Sequence, residues 1–190
     1  MKKISIGIIV LIAFLAFSLY TFADNKPPLE GGGLPEIILP APQDADHREY
    51  LGLDGNDSFQ IRQIKAQIVI IEIFSMYCPH CQREAPNINE FYNKIENDPA
   101  LRGNVKIIGI GVGNSKFEVS FFQKKYAIPF PLFSDADFKI HKKIGEVRTP
   151  YFIGVKLADN GEDTIFYSRL GGPKDSRQFL ENLLQGSGMN

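Results

Sequence analysis

The chain has 190 residues, of which 44% are hydrophobic and 23% are charged, and its formal net charge is -1 at pH 7. This length and composition predict one globular domain with a sizeable core. The charge is nearly neutral and no basic stripe stands out, so a nucleic acid is not expected as a partner.

The first 23 residues have the pattern of an export signal. Lysines precede an apolar run over residues 4–22, and a small-residue cleavage site precedes Asp24. The run is also long enough to span a bilayer, so a cleaved signal peptide and an uncleaved membrane tether through residues 4–22 are both compatible with it. In either case we expect a periplasmic or other extracytoplasmic location, where disulfides persist.

Residues 24–46 are rich in proline and glycine, which predicts a flexible tether because such a segment buries little apolar surface. We place the folded domain at residues 47–190. At its start, alternating segments at 49–53 and 58–64 flank a turn signal, Leu53-Asp54-Gly55-Asn56, so we expect an N-terminal β-hairpin there.

The two cysteines of the chain, Cys78 and Cys81, lie where a predicted strand meets a predicted helix. An isoleucine-rich run over residues 67–74 is typical of a buried strand, and a helical pattern continues to about residue 97. Pro79 suits the first helical position, which places Cys78 at the helix N-terminus. Unpaired N–H groups and the helix dipole stabilise a thiolate at that place.

A C-x-x-C pair can be a redox dithiol, a structural disulfide or half of a zinc site. A zinc site needs about four ligands, and His47 and His141 are far from the pair in sequence. We therefore favour a redox pair that cycles between a dithiol and a Cys78–Cys81 disulfide, and we expect no metal and no other cofactor.

Strands and helices alternate along the rest of the chain. Strands are predicted at residues 105–112, 129–133, 151–157 and 164–170, and helices at 116–126, 138–144 and 174–184. This order predicts an α/β fold with a central mixed sheet flanked by helices. In such a pattern, a C-x-x-C at a strand–helix junction is typical of a thioredoxin-like redox motif.

From about residue 49 to 184 the chain resembles the thioredoxin-like TlpA/ResA and redoxin group. The motifs that carry the resemblance are C-x-x-C-x-x-E-x-P, the stretch IIGIGV…FFQKKYAIPFPLFSDAD, and Val147-Arg148-Thr149-Pro150-Tyr151-Phe152. The resemblance implies a thioredoxin-like fold, thiol–disulfide oxidoreductase activity, and a cis bond before Pro150 that lies against the C-x-x-C.

Residues 72–81 are similar to the corresponding segment of DsbA-type thiol oxidases, including the Cys-Pro-His-Cys itself. The segment between Cys81 and Pro150, however, fits one βα insertion rather than the large helical insertion of the DsbA fold. The scaffold therefore resembles TlpA, while the active-site sequence resembles DsbA.

We expect Cys78 to be the nucleophile and Cys81 to be the buried resolving thiol. Glu72 interrupts an apolar strand, and burial would raise its pKa, as is useful in a group that exchanges a proton with Cys81. Glu72 also matches the buried acid of thioredoxin and DsbA relatives. The TlpA/ResA resemblance assigns Glu84 an effect on cysteine acidity. The simpler interpretation of Glu72 is a glutamate at the strand end that reaches water. The simpler interpretation of Glu84 is a solvated glutamate on the helix, without an effect on the cysteines.

Five further residues complete the predicted site: Tyr77, Pro79, His80, Thr149 and Pro150. His80, as an imidazolium or as a dipole, would favour the Cys78 thiolate. Together with Pro79 it would thereby adjust the reduction potential of the Cys78–Cys81 couple. By resemblance, the Thr149 backbone pairs with a substrate strand beside Pro150, and Tyr77, in place of the usual tryptophan, belongs to the same substrate-binding surface. An exposed His80 without effect and a trans Pro150 are the simpler interpretations.

The sequence thus predicts an exported enzyme that exchanges disulfides with protein cysteines and is regenerated by a redox partner. The TlpA-like scaffold implies a reductase, whereas Cys-Pro-His-Cys implies a more oxidising couple, as in a DsbA-like oxidase. Two other functions fit less well. Thiol peroxidases of the redoxin group carry a serine or threonine three residues before the reactive cysteine and a proline seven residues before it. Ser75 fits the first of these positions, but Ile71 stands at the second. A binding-only chaperone would not need the cysteines.

Overall fold

A computed structural model describes residues 26–55, 57–158, 161–172 and 176–188. Seven strands are present among them: β1 (Ile38–Leu39), β2 (Phe59–Gln60), β3 (Ile68–Phe74), β4 (Val105–Val112), β5 (Leu132–Asp135), β6 (Tyr151–Lys156) and β7 (Thr164–Leu170). The helices are α1 (Ala45–Leu51), α2 (Pro79–Asn97), α3 (Lys116–Lys125), α4 (Lys139–Lys143) and α5 (Ser176–Ser187).

The five longer strands form one mixed sheet in the order β5-β4-β3-β6-β7. Strands β3, β4 and β5 are parallel to one another, while β6 is antiparallel to both β3 and β7. Every residue of β3 and β4 is buried, as expected for parallel strands covered on both faces. The predicted α/β architecture with a central mixed sheet is confirmed.

Two hydrophobic clusters cover the two faces of the sheet. One contains the buried side of α2 together with residues of α3 and α5. The other contains residues of α1, β1 and β2 and the segment around Ile144. Because the chain between α2 and β6 holds only β4, α3, β5 and α4, it fits the expected single βα insertion.

The predicted N-terminal β-hairpin is wrong. Residues 45–51 form a helix because Asp44 caps its start, accepting hydrogen bonds from the N–H groups of Asp46 and His47, and Gly52 ends it in the left-handed conformation. The short strand β2 pairs with β1 instead, in antiparallel register. These capping interactions outweigh the alternating pattern of residues 49–53 that suggested a strand.

The prediction of a flexible tether over residues 24–46 is also wrong from Lys26 onward. The Gly31 N–H donates to the Ile165 carbonyl at 2.7 Å, and the Ile165 N–H donates to the Gly32 carbonyl at 2.8 Å. Ile37 and Leu39 are buried in the core. The arm is therefore anchored to β7 and to the sheet face, and it belongs to the domain in spite of its proline and glycine content.

The export signal or anchor predicted at residues 1–23 lies outside the described residues. Within the part of the chain that the structure describes, no helix combines the length and the apolar character needed to cross a bilayer.

Strand β5 begins at Leu132, later than predicted, since Pro129 and Pro131 have no N–H for a strand ladder.

Neighbouring residues on β1 provide a test of the packed arm. Leu39 is 1% exposed and Ile38 is 51% exposed. Leu39→Ala should lower the free energy of unfolding by about 2–5 kcal/mol because it leaves a cavity in the core, whereas Ile38→Ala should change it little. Urea unfolding of both variants measures the difference, and equal effects would contradict the packed arm.

Candidate active site

Cys78 is the N-cap residue of α2, and Pro79 occupies the first turn of the helix. The Cys78 side chain is half-buried and Cys81, one turn further on, is fully buried; both are free thiols in this structure. Proline favours this helix start because its missing N–H would be unpaired there in any case. The local sequence therefore presents one sulfur at the surface and places the other in the core.

The surroundings of Cys78 favour its thiolate. Partial burial on its own would raise the pKa of Cys78, but the effects of Thr149 and of the backbone N–H groups of Cys81 and His80 outweigh it, so that the pKa lies below its usual value. In its protonated form, the Cys78 thiol donates to the Thr149 carbonyl oxygen at 3.4 Å. Cys78 is thus the more acidic of the two thiols.

The surroundings of Cys81 have the opposite effect. Burial raises the pKa of Cys81 well above its usual value, and the nearby Glu72 carboxylate and Cys78 sulfur raise it further. The backbone N–H of Ser75 acts on the Cys81 sulfur in the other direction and lowers the pKa. Cys81 therefore holds its proton until another group takes it.

Glu72 lies in β3, the central strand of the sheet, between Gly109 of β4 and Phe152 of β6. Its side chain is 3% exposed. Burial raises the pKa of Glu72 to about 8, with a smaller contribution from the negative charge of Glu84. A carboxyl group with this pKa can hold or release a proton near neutral pH.

Glu84 lies on α2, one turn beyond Cys81, and is half-buried. Burial raises the pKa of Glu84, although a hydrogen bond from the Asn87 amide opposes the shift. Gly172 packs directly on this side chain, since a Cβ atom at Gly172 would lie 2.4 Å from the Glu84 Cδ. Only glycine fits at position 172 without moving Glu84.

The Thr149–Pro150 peptide bond is cis. Tyr151, the next residue, pairs with Ile73 at the end of β3, and this register places Thr149 beside Cys78. Pro150 is buried, and its carbonyl accepts a hydrogen bond from the Gly171 N–H at 2.8 Å. The structure therefore brings the two parts of the predicted site together although they are far apart in sequence.

His80 and Tyr77 are both exposed. The Arg83 guanidinium donates to His80 Nδ1 at 2.9 Å, so that nitrogen is the acceptor of the ring. The Tyr77 hydroxyl donates to a carboxylate oxygen of Glu118 on α3, and the Tyr77 side chain remains 64% exposed. Both side chains line the surface around Cys78.

Asn114 is a residue of this region that the sequence analysis did not identify as part of the site. It follows β4, its side chain is fully buried, and its Oδ1 accepts a hydrogen bond from the Met76 N–H at 2.8 Å. The sequence does show a polar residue directly after a buried strand, and the carboxyl ends of neighbouring parallel strands share one edge of a sheet. That signal could have identified Asn114.

No group of three or more histidine, cysteine, aspartate or glutamate side chains suited to hold a metal ion occurs among the described residues.

The sequence profile of the AhpC/TSA family matches residues 40–162. The thiol–disulfide oxidoreductase ResA of Geobacillus kaustophilus is 22% identical over 180 residues, which cover 93% of this chain and 91% of that protein. ResA of Bacillus subtilis is 25% identical over 132 residues, which cover 68% of this chain but only 64% of that protein.

Two solved structures share the fold. StoA of Bacillus subtilis superposes with a TM-score of 0.54 at 20% identity and covers 78% of this chain and 96% of StoA. The thioredoxin domain of a thiol–disulfide oxidoreductase from Bacteroides vulgatus superposes with a TM-score of 0.60 at 16% identity, covering 82% and 98%. These similarities confirm the predicted thioredoxin-like fold.

The pKa of Glu72 predicts how stability depends on pH. Because the native carboxyl keeps its proton up to about pH 8 whereas its usual pKa is 4.5, unfolding releases a proton between these values. The free energy of unfolding therefore falls as pH rises through this window, by an amount on the order of a few kcal/mol. Glu72→Gln should remove this fall.

Denaturant unfolding at pH 5, 7 and 9 measures the effect. The difference in stability between Glu72→Gln and the unmodified chain should grow with pH in favour of the variant. Glu49→Gln, which replaces an exposed carboxylate on α1, serves as the control and should follow the unmodified chain. Parallel pH curves for all three proteins would contradict the buried, protonated Glu72.

Proposed function

This chain belongs to the AhpC/TSA family, which confirms its predicted redoxin relationship, and we propose that it is an exported thiol–disulfide oxidoreductase that acts on protein cysteines through Cys78 and Cys81. The enzyme class agrees with the names of the ResA relatives. One observation carries the proposal: a half-buried, acidified Cys78 lies one helical turn from a buried Cys81 that keeps its proton. A structural disulfide needs no such difference between its sulfurs.

In the first step, the Cys78 thiolate attacks one sulfur of a substrate disulfide. A mixed disulfide forms between Cys78 and that sulfur, and the second substrate sulfur leaves as a thiolate. The N–H groups of His80 and Cys81 at the start of α2 stabilise the attacking anion. The low pKa of Cys78 makes this the cysteine that reacts first.

In the second step, Glu72 first releases its own proton to water, as a carboxyl group with a pKa of about 8 can do near neutral pH. Its carboxylate then accepts the proton of Cys81, and the resulting thiolate attacks the Cys78 sulfur. The Cys78–Cys81 disulfide forms, and the bond between Cys78 and the substrate breaks. The substrate sulfur leaves as a thiolate and takes a proton from water. Two electrons have then passed from the dithiol to the substrate, which is reduced, and the reverse sequence oxidises a substrate dithiol.

The remaining predicted residues support these steps. Glu84 raises the pKa of Glu72 through its charge and so makes Glu72 a better proton acceptor for Cys81. Pro79 begins the helix, and His80 contributes its backbone N–H as well as a ring at the surface. Thr149 and Pro150 directly precede β6, and Thr149 contacts Cys78. The exposed Tyr77 is the residue before Cys78, so an extended substrate segment that pairs with the Thr149 backbone would lie close to both.

We propose reduction as the main direction, with DsbA-like oxidation as the alternative. The ResA-like scaffold favours a reductase. The acidified Cys78, however, stabilises the dithiol form, which makes the disulfide a stronger oxidant. A reductase whose Cys78–Cys81 couple has a higher reduction potential than is usual for its class satisfies both observations.

Export and partners follow from the N-terminal sequence and from the chemistry. The apolar run over residues 4–22 directs the domain to an extracytoplasmic compartment as a signal peptide or as a membrane tether. Each reduction leaves the enzyme as a disulfide, so a second redox protein must return two electrons to it. We also propose that the domain begins by Lys26 rather than at residue 47, and the contacts of the packed arm support this boundary.

Replacing the resolving thiol should trap the substrate. With Cys81→Ser, the mixed disulfide on Cys78 cannot be resolved, so the variant should accumulate covalent complexes that dithiothreitol releases. Cys78→Ser should form none, because Cys81 is buried. Non-reducing gels of both variants with a disulfide-bonded test protein measure the outcome, and trapping by Cys78→Ser would contradict the assigned order.

The reduction potential of Cys78–Cys81 against glutathione decides the direction. We expect a value above that of thioredoxin, about -270 mV, and below that of DsbA, about -120 mV. A potential at the DsbA end would favour the oxidase, whereas one at the thioredoxin end would contradict an oxidising couple.

A further inference from the structure

A turn of four residues, Ser75 to Cys78, connects β3 to α2, and the Cys78 N–H donates to the Ser75 carbonyl at 3.0 Å. This active-site turn (residues 75–78) contacts both sulfurs. It ends at Cys78, and the backbone N–H of Ser75 acts on the Cys81 sulfur and lowers the pKa of that thiol. Groups that hold the turn in place therefore act on both thiols.

Asn114 holds the active-site turn from the neighbouring strand. Its Oδ1 accepts from the Met76 N–H at 2.8 Å, and its Nδ2 lies 3.5 Å from the Ser75 hydroxyl. On the other side, the Gln82 amide donates to the Met76 carbonyl at 2.8 Å. Both backbone polar groups of Met76 are thus bound by side chains.

Asn114 is itself held firmly. Its carbonyl accepts from the Ser134 hydroxyl at 2.5 Å, and its N–H donates to the Gly111 carbonyl at 3.3 Å. A Cβ atom at Gly111 would lie 3.2 Å from Asn114 Oδ1 and 2.8 Å from a methyl group of Val119. Glycine at 111 leaves the space that the Asn114 side chain occupies.

We propose that Asn114 is a positioning residue of the redox site, which holds the active-site turn so that the Ser75 N–H meets the Cys81 sulfur during resolution. This inference rests on the proposed function, because it concerns the step in which Cys81 attacks Cys78. The amide suits this role since it accepts from a backbone N–H and donates to a hydroxyl, whereas aspartate can only accept. A fully buried amide with bound polar groups also has little freedom to move.

The resolving step can be followed without a protein client. When the reduced enzyme meets 5,5′-dithiobis(2-nitrobenzoate), attack by Cys78 releases one thionitrobenzoate and leaves the other bound as a mixed disulfide. Attack by Cys81 on the Cys78 sulfur then releases the second and forms the Cys78–Cys81 disulfide. The second phase of absorbance therefore reports resolution. If the unmodified chain shows no second phase, the proposed function fails, and not the role of Asn114.

Asn114→Ala should slow the second phase about tenfold, since a hydrogen bond to the reacting thiolate loses its geometry. The matched control is Asn89→Ala. The Asn89 amide donates to the carbonyls of Tyr126 and Ala127, which joins α2 to the end of α3 away from the cysteines. This control should lower the thermal midpoint and leave both phases unchanged. A second phase of Asn114→Ala that slows no more than that of Asn89→Ala would overturn the proposal.

Asn114→Asp answers the same question if the alanine variant does not fold. It keeps the shape and the acceptor for the Met76 N–H but loses the donor and adds an acidic group near the turn. We expect a slower second phase and a first phase whose pH profile moves to higher pH, because a negative charge disfavours the Cys78 thiolate. An unchanged second phase together with an unchanged pH profile would overturn the proposal.

Discussion

The burial of β3 on both faces is the constraint on which the site depends. Every residue of this strand is buried, and the strand lies between β4 and β6 at the centre of the sheet. A carboxyl group in such a strand loses its hydration and keeps its proton, which is the condition of Glu72. The same strand ends at the active-site turn, so one element positions the buried carboxyl group and both thiols.

The difference between the two thiols follows from a single helix start. Cys78 lies outside the first turn of α2, where N–H groups face it, and Cys81 lies inside the core among apolar side chains. Burial and hydrogen bonding therefore shift the two pKa values in opposite directions. In the proposed reaction, the acidic thiol therefore attacks first, and the other attacks only after a proton transfer.

The sequence predicts the parts of the fold that local patterns control. The long apolar runs mark β3 and β4, and Pro79 and Asp98-Pro99 mark the two ends of α2, whose observed bounds agree with the prediction. The arm before residue 47 and the β1–β2 pair could not be predicted, because their order comes from pairing with distant strands. The contact between Asn114 and Met76 also joins distant parts of the chain, and the sequence shows only the position of Asn114 after a buried strand.

The reduction potential of the Cys78–Cys81 couple depends on more than the Cys-Pro-His-Cys motif. At neutral pH, Cys81 is protonated in the dithiol form, so a further rise in its pKa does not change the reduction potential there. Stabilisation of the Cys78 thiolate does change the potential, because it favours the dithiol. That stabilisation comes from backbone N–H groups and from Thr149. The active-site turn and the loop directly before β6 hold these groups in place. The potential therefore depends on how the surrounding loops are held as well as on the two residues between the cysteines.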